Sequence, residues 1–156
     1  MRVLISGAGI GGLSLAAGLV RAGHSVHVVE RSPVLRSGGA GIALFSNATA
    51  CLRWLGVAVD GLGRVSQGFS VATAQGKILG AAGDAVSDEP ARCVAREELH
   101  RELAHAGERA ELHLGQEVVA LEKGLATLSG GALERPAWVG SAARGRLSLG
   151  LARCAG

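Results

Sequence analysis

After Met1 the chain reads Arg2-Val3-Leu4-Ile5-Ser6-Gly7-Ala8-Gly9-Ile10-Gly11-Gly12 and reaches Glu30 eighteen residues after Gly12. Gly7, Gly9 and Gly12 have the G-x-G-x-x-G spacing directly behind an apolar run, Val3-Leu4-Ile5, that reads as a buried strand. Each glycine has its own reason in such a motif. Gly7 permits a tight strand-to-helix turn, Gly9 lets backbone approach a pyrophosphate, and Gly12 lets the first helix pack close to the sheet. Glycine is abundant here, 25 of 156 residues, so the triplet alone is weak and its surroundings must carry the argument. They do. Ala16, Leu19 and Val20 recur at helical spacing, Gly23 closes the helix, and Val26, Val28 and Val29 predict a second strand ending at Glu30. A carboxylate there accepts hydrogen bonds from a ribose 2′-hydroxyl and repels a 2′-phosphate. The phosphates of the same ligand rest on the N–H groups that open the helix.

Composition sets the outer limits. Hydrophobic residues at 48% and charged residues at 19% describe one soluble globular domain, and aromatic content of 3% leaves Ala, Leu, Val and Gly to fill the core. A net charge of +3 comes from scattered arginines without interleaved aromatics, which argues for a solvated surface and against a nucleic-acid partner. Residues 3–20 carry no charge, yet the four glycines between Gly7 and Gly12 make a poor continuous helix, so neither a membrane span nor a signal peptide is expected. Cys51, Cys93 and Cys154 lack C-x-x-C spacing. They fit reduced thiols in a cytoplasmic protein, with Cys51 and Cys93 as small core residues.

Beyond Glu30 follows a basic, Gly-rich loop with Arg31 and Arg36, leading to the short apolar run Gly41-Ile42-Ala43-Leu44. Two arginines and a second set of backbone N–H groups suit an extended anionic cofactor better than a simple nicotinamide dehydrogenase. Ser46 is placed to cap a helix with Ala48, Cys51, Leu52 and Leu55 on its apolar face and Gly56 as its stop. Residues 67–74 and 77–81 read as a hairpin across Gln75-Gly76. Leu99 and Leu103 face inward from a further helix, with Glu97 and Arg101 paired outside. His24, His27, His100, His105 and His113 have neither H-E-x-x-H spacing nor a nucleophile partner. They read as surface or strand residues, and no catalytic residue or metal site is expected.

Gly7-Ala8-Gly9-Ile10-Gly11-Gly12-Leu13, Glu30-Arg31, Gly39-Ala40-Gly41-Ile42, Asn47-Ala48, Leu52 and Leu55-Gly56 together resemble the amino-terminal part of the FAD-dependent aromatic-ring hydroxylases. These are the single-component flavin monooxygenases related to p-hydroxybenzoate hydroxylase. The resemblance continues through Arg96-Glu97-Glu98-Leu99-His100-Arg101-Glu102-Leu103, similar to the family's Arg-x-x-Leu-x-x-x-Leu helix start, and through Leu114-Gly115-Gln116-Glu117-Val118 to about Glu122. It implies an α/β fold, a Rossmann-like FAD-binding domain with an added β-hairpin. It also implies FAD as cofactor, NADH or NADPH as co-substrate, and a small aromatic or polyketide-like substrate that takes one atom of O₂. In the implied site Gly7, Gly9, Ile10 and Gly12 hold the cofactor by backbone, and Glu30 holds ribose. Arg31 lies near the adenosine, Arg36 and Gly41 near the cofactor's centre, Arg96 toward its phosphate and ribityl region, and Val118 beside adenine.

The departures bound that expectation. The family's Gly-Ala-Asp-Gly run and its later Gly-Asp motif have no counterpart, since no aspartate follows Asp88. Residues 1–122 therefore read as a partial FAD-binding domain, and 123–156 as an atypical tail, degenerate or out of frame, without a recognisable strand–helix unit. A truncated chain of this kind is expected not to hydroxylate by itself. Two other classes stay open on the residues alone: another FAD- or NAD-dependent oxidoreductase sharing only the first βαβ unit, and a non-catalytic nucleotide-binding module.

Overall fold

Val3, Leu4 and Ile5 are each almost completely buried, as a run without charge must be when both faces of its strand are covered. The computed structural model describes residues 1–35, 40–82, 89–122, 124–131, 133–134, 136–141 and 148–150. Along the chain the first elements are β1 (Arg2–Ser6), α1 (Ile10–Arg21), β2 (Ser25–Glu30), β3 (Gly41–Leu44) and α2 (Ser46–Trp54). Next come β4 (Arg64–Val65), β5 (Phe69–Ala72), β6 (Ile78–Ala82), β7 (Arg92–Ala95) and α3 (Arg96–Ala106). Then follow β8 (Glu111–Leu114), β9 (Val118–Glu122), β10 (Leu125–Leu128), β11 (Leu133–Glu134), β12 (Trp138–Ser141) and β13 (Ser148–Gly150). They form two compact units, one of residues 1–37 with 100–156 and one of residues 38–99.

The first unit is built on a five-stranded sheet of order β13-β12-β1-β2-β8, in which β12, β1, β2 and β8 run parallel. Alternation along the strands separates two faces. On one, Val28 and Leu112 meet Leu13 and Ala16 of α1 and Ala104 and Gly107 at the end of α3, around a small apolar cavity of about 150 Å³. On the other, Leu4, Val29 and Val139 pack with Ala126, Leu128 and Val118 of the antiparallel meander β9-β10-β11. Helices on one side and a meander on the other bury β1 from both. The Ala22 C-cap and Gly23 at φ +81° end α1 where the sequence placed its stop.

Among the described residues of 124–141 the tail contributes strands and no helix. Here β10 pairs with β9, and β12 lies parallel to β1 with Leu4 opposite Val139. Strands of only four residues, Leu-Ala-Thr-Leu and Trp-Val-Gly-Ser, are too short to show a period when read in isolation. They become strands because their neighbours supply the ladder. Cys154 lies outside the described residues.

In the second unit β3-β7-β4 form an antiparallel sheet, and β5 with β6 makes the expected hairpin, turning at Gly76 with φ +85°. The helix α2 corrects two expectations. Its N-cap is Phe45, which offers no side-chain cap, and Ser46 is already inside the helix. Thr49 and Leu52 are its buried residues, so Cys51 falls on the solvent side; Cys93 likewise alternates outward between Arg92 and Val94. Arg92 is buried, donating from Nε to the Leu62 carbonyl at 2.7 Å and from Nη2 to that of Asp60 at 2.8 Å. Gly56, at φ +91°, ends α2 as expected.

A Cβ on Gly12 would stand 1.9 Å from the Gly7 carbonyl oxygen, a backbone atom that cannot swing aside. Gly12→Ala should therefore lower stability by at least about 2 kcal/mol in urea denaturation, through overpacking between α1 and the turn. An unchanged midpoint would mean that the close helix approach is not what the fold depends on.

Candidate functional site

The turn from β1 into α1 is shaped by three glycines with three different constraints. Gly7 has φ +100°, a conformation open to glycine, and its N–H donates to the Val29 carbonyl at 2.7 Å, extending the β1–β2 ladder. Gly12 is demanded by the approach just described. Gly9 is demanded by neither: its φ is −75° and a Cβ there would meet nothing within 4 Å. Gly9 is also the N-cap of α1 without any side-chain cap, so the first N–H groups of the helix face open space left beside it. That space, with the positive end of the helix dipole behind it, suits an anion.

Glu30, at the end of β2, closes the other side. Its Oε2 accepts from the Ala8 N–H and its Oε1 from the Ser32 N–H, both at 2.9 Å. These bonds use about two of the roughly four lone-pair positions of a carboxylate. The remainder can take hydroxyl donors. The turn after β8 is fastened to the same place, with Gly115 N–H donating to the Ser32 carbonyl and Gln116 N–H to that of Glu30, each at 3.0 Å.

The structure thus brings Gly7, Gly9, Ile10, Gly12 and Glu30 to the carboxyl ends of β1 and β2, where the strand order turns from β2 on one side of β1 to β12 on the other. Ligands of open α/β sheets bind at such crevices. Ile10 is the first residue of α1, Arg31 is exposed immediately beyond Glu30, and Val118 begins β9 two residues past Gln116. Arg36 lies outside the described residues. Gly41 and Arg96 belong to the second unit, where Gly41 pairs with Ala95, so both stand at one end of the β3–β7 pair. Arg96 is exposed at the start of α3.

One residue was missed by reading the sequence. His100, expected at the surface or on a strand, is only 6% exposed, and its Nε2 lies 2.7 Å from the Ala8 carbonyl oxygen. A usable signal existed: His100, Leu103 and Gly107 recur at helical spacing and form one inward face. A Cβ on Gly107 would lie 3.5 Å from the Ala17 backbone nitrogen, showing how closely that face approaches α1.

His27, Glu111 and His113 also come together, in adjacent strands, with their potential ligand atoms within 4.8 Å of one another. The two imidazoles are stacked, 5.6 Å between centroids and 19° between planes. His27 Nδ1 and His113 Nε2 lie 3.7 and 3.8 Å from the same Glu111 oxygen, Oε2.

A glycine-rich turn, a bare helix N-terminus and an acidic residue ending the second strand define a dinucleotide-binding βαβ unit. Residues 2–57 match the pyridine nucleotide-disulphide oxidoreductase family. Aurachin C monooxygenase/isomerase of Stigmatella aurantiaca is 44% identical over 92 residues, 58% of this chain and 22% of the relative. Monooxygenase 1 of Arabidopsis thaliana is 34% identical over 128 residues, 81% of this chain and 32% of the relative. Among solved structures, the tetrameric form of 2-methyl-3-hydroxypyridine-5-carboxylic acid oxygenase superposes with a TM-score of 0.76 at 26% identity, over 88% of this chain and 38% of that one. Over part of their length, the chain is similar to FAD-dependent, aromatic-hydroxylase-like flavin monooxygenases. It spans between about a fifth and two fifths of the length of these relatives. Among the described residues no helix is long and apolar enough to cross a membrane.

Removing the Glu30 carboxylate leaves the partly buried Ala8 N–H without its acceptor. Glu30→Ala should cost about 1–3 kcal/mol in chemical denaturation, and Glu30→Gln, which keeps one acceptor oxygen, distinctly less. Equal losses would show that the two backbone contacts are not what the carboxylate contributes.

Proposed function

We propose that this chain binds FAD by its ADP half and is the cofactor-holding part of an NAD(P)H- and O₂-dependent hydroxylase of a small aromatic substrate. The observation that carries the reading is Gly9: a glycine that neither backbone conformation nor packing requires, at a helix N-terminus facing open space. In this reading the backbone of Gly7, Gly9, Ile10 and Gly12 surrounds the pyrophosphate, and the N–H groups that open α1 neutralise it. Glu30 accepts from the adenosine ribose while it holds Ala8, and Arg31 and Val118 flank the adenosine. Gly41 and Arg96, with Arg36, serve the cofactor's central phosphate and ribityl region. The isoalloxazine, when bound, supplies hydride acceptance and oxygen transfer. The chain's own residues bind and orient the nucleotide half that carries it.

The aromatic substrate class is supported by what related proteins are named for, 3-hydroxybenzoate 6-hydroxylase of Polaromonas naphthalenivorans among them. Glu30 bears on the ribose of FAD in this reading, so it does not choose between NADH and NADPH.

Separate fluorescence titrations with FAD and NAD⁺ test the proposal. FAD should bind, ADP should compete with it, and NAD⁺ should bind at least tenfold more weakly. Gly9→Val should abolish FAD binding yet stay folded, with stability within about 1 kcal/mol of the parent, the scale of an N-cap change. Tight NAD⁺ binding without FAD affinity would replace the proposal with a nicotinamide site.

A further inference from the structure

We propose that His100 is a positioning residue for the phosphate-binding turn, holding the Ala8–Gly9 peptide so that the Gly9 N–H faces the ligand. The inference rests on the reading that this turn takes a pyrophosphate. Its physical basis is the peptide plane. No peptide bond in the described chain is cis, so the Ala8 carbonyl and the Gly9 N–H, two ends of one rigid trans unit, point in opposite directions. The carbonyl is bound from inside the protein by His100 at 2.7 Å. The N–H is thereby turned away from His100 and the interior, at a residue that is itself exposed.

The turn needs such a hold because of its own composition. Ala8 stands between two glycines, and glycine places the weakest restraint on the torsions that let a peptide plane rotate. A rotated Ala8–Gly9 unit would present a carbonyl oxygen to the phosphates and withdraw an N–H from them. Two side chains oppose that rotation. Glu30 fixes the peptide before Ala8 through its N–H, and His100 fixes the one after it through its carbonyl. His100 is itself set in place by the inward face of α3, with Leu103 fully buried and Gly107 against α1. Because a carbonyl only accepts, the bond also assigns the tautomer: His100 carries its proton on Nε2. The turn is pre-organised before any ligand arrives, which lowers the ordering cost of binding.

Three measurements on the intact chain test this. The ¹⁵N NMR spectrum of the unmodified chain should show His100 as the Nε2–H form; the Nδ1–H form would overturn the proposal without any variant being made. His100→Phe, which keeps bulk and removes the donor, should weaken ADP and FAD tenfold or more while changing adenosine affinity less than threefold. His100→Gln, whose amide N–H can reach the same carbonyl, should restore ADP to within about threefold of the parent. Equal losses of adenosine and ADP would reduce His100 to a structural residue, and unchanged ADP affinity in His100→Phe would overturn the role outright. If the unmodified chain binds neither ADP nor FAD, the nucleotide reading fails and takes this role with it. A confirmed Nε2–H tautomer would then show that the His100–Ala8 contact itself had been placed correctly.

Discussion

The contact between Gly12 and the carbonyl of Gly7 is the constraint from which the rest of the first unit follows. A helix that starts so close to the strand it has just left must reverse direction within three residues, Gly7 to Gly9. That reversal carries α1 back across the sheet to bury Leu13, Ala16 and Val20, and lets β2 return parallel to β1 with Leu4 opposite His27. It also leaves the amino end of α1 at the carboxyl edge of the strands. The same steric fact therefore produces both the fold and an unfilled row of N–H donors.

What the turn gains in proximity it loses in rigidity, since glycines define no single backbone path. The lost restraint is supplied from elsewhere in the chain. Glu30 at the end of β2 and His100 on α3 reach the two sides of Ala8, and these residues are 22 and 92 positions away in sequence. Glu30 has a second duty in the proposed site, because its remaining lone pairs face a ribose. His100 has none in view beyond the turn. Its conformational role is therefore separable by experiment from direct ligand contact.

The legible part of this protein was the part governed by local chemistry. G-x-G-x-x-G, Gly23, Gly56 and the hairpin at Gly76 each express a backbone requirement that a few neighbouring residues fulfil, and each stands where the sequence placed it. Cys51 and Ser46 were misjudged by one helical position, which is enough to move a side chain from core to solvent or from cap to first turn. The strands of residues 125–128 and 138–141 were invisible for a different reason. Their pairing partners, β9 and β1, are what make them strands. His100 was misread by its type, as polar surface, although its spacing with Leu103 and Gly107 sets it on the inward face where it is buried.

The central claim is that the β1–α1 turn, with Glu30 beside it, is where a nucleotide diphosphate rests. Amide-resolved NMR of the ¹⁵N-labelled chain during addition of ADP tests it most directly. The account predicts saturable shifts that are largest at Gly9 and Ile10, extend to Ala8 and Ser32, and leave the hairpin around Gly76 unmoved. Shifts centred on any other part of the chain, or none at Gly9 once binding is saturated, would contradict it.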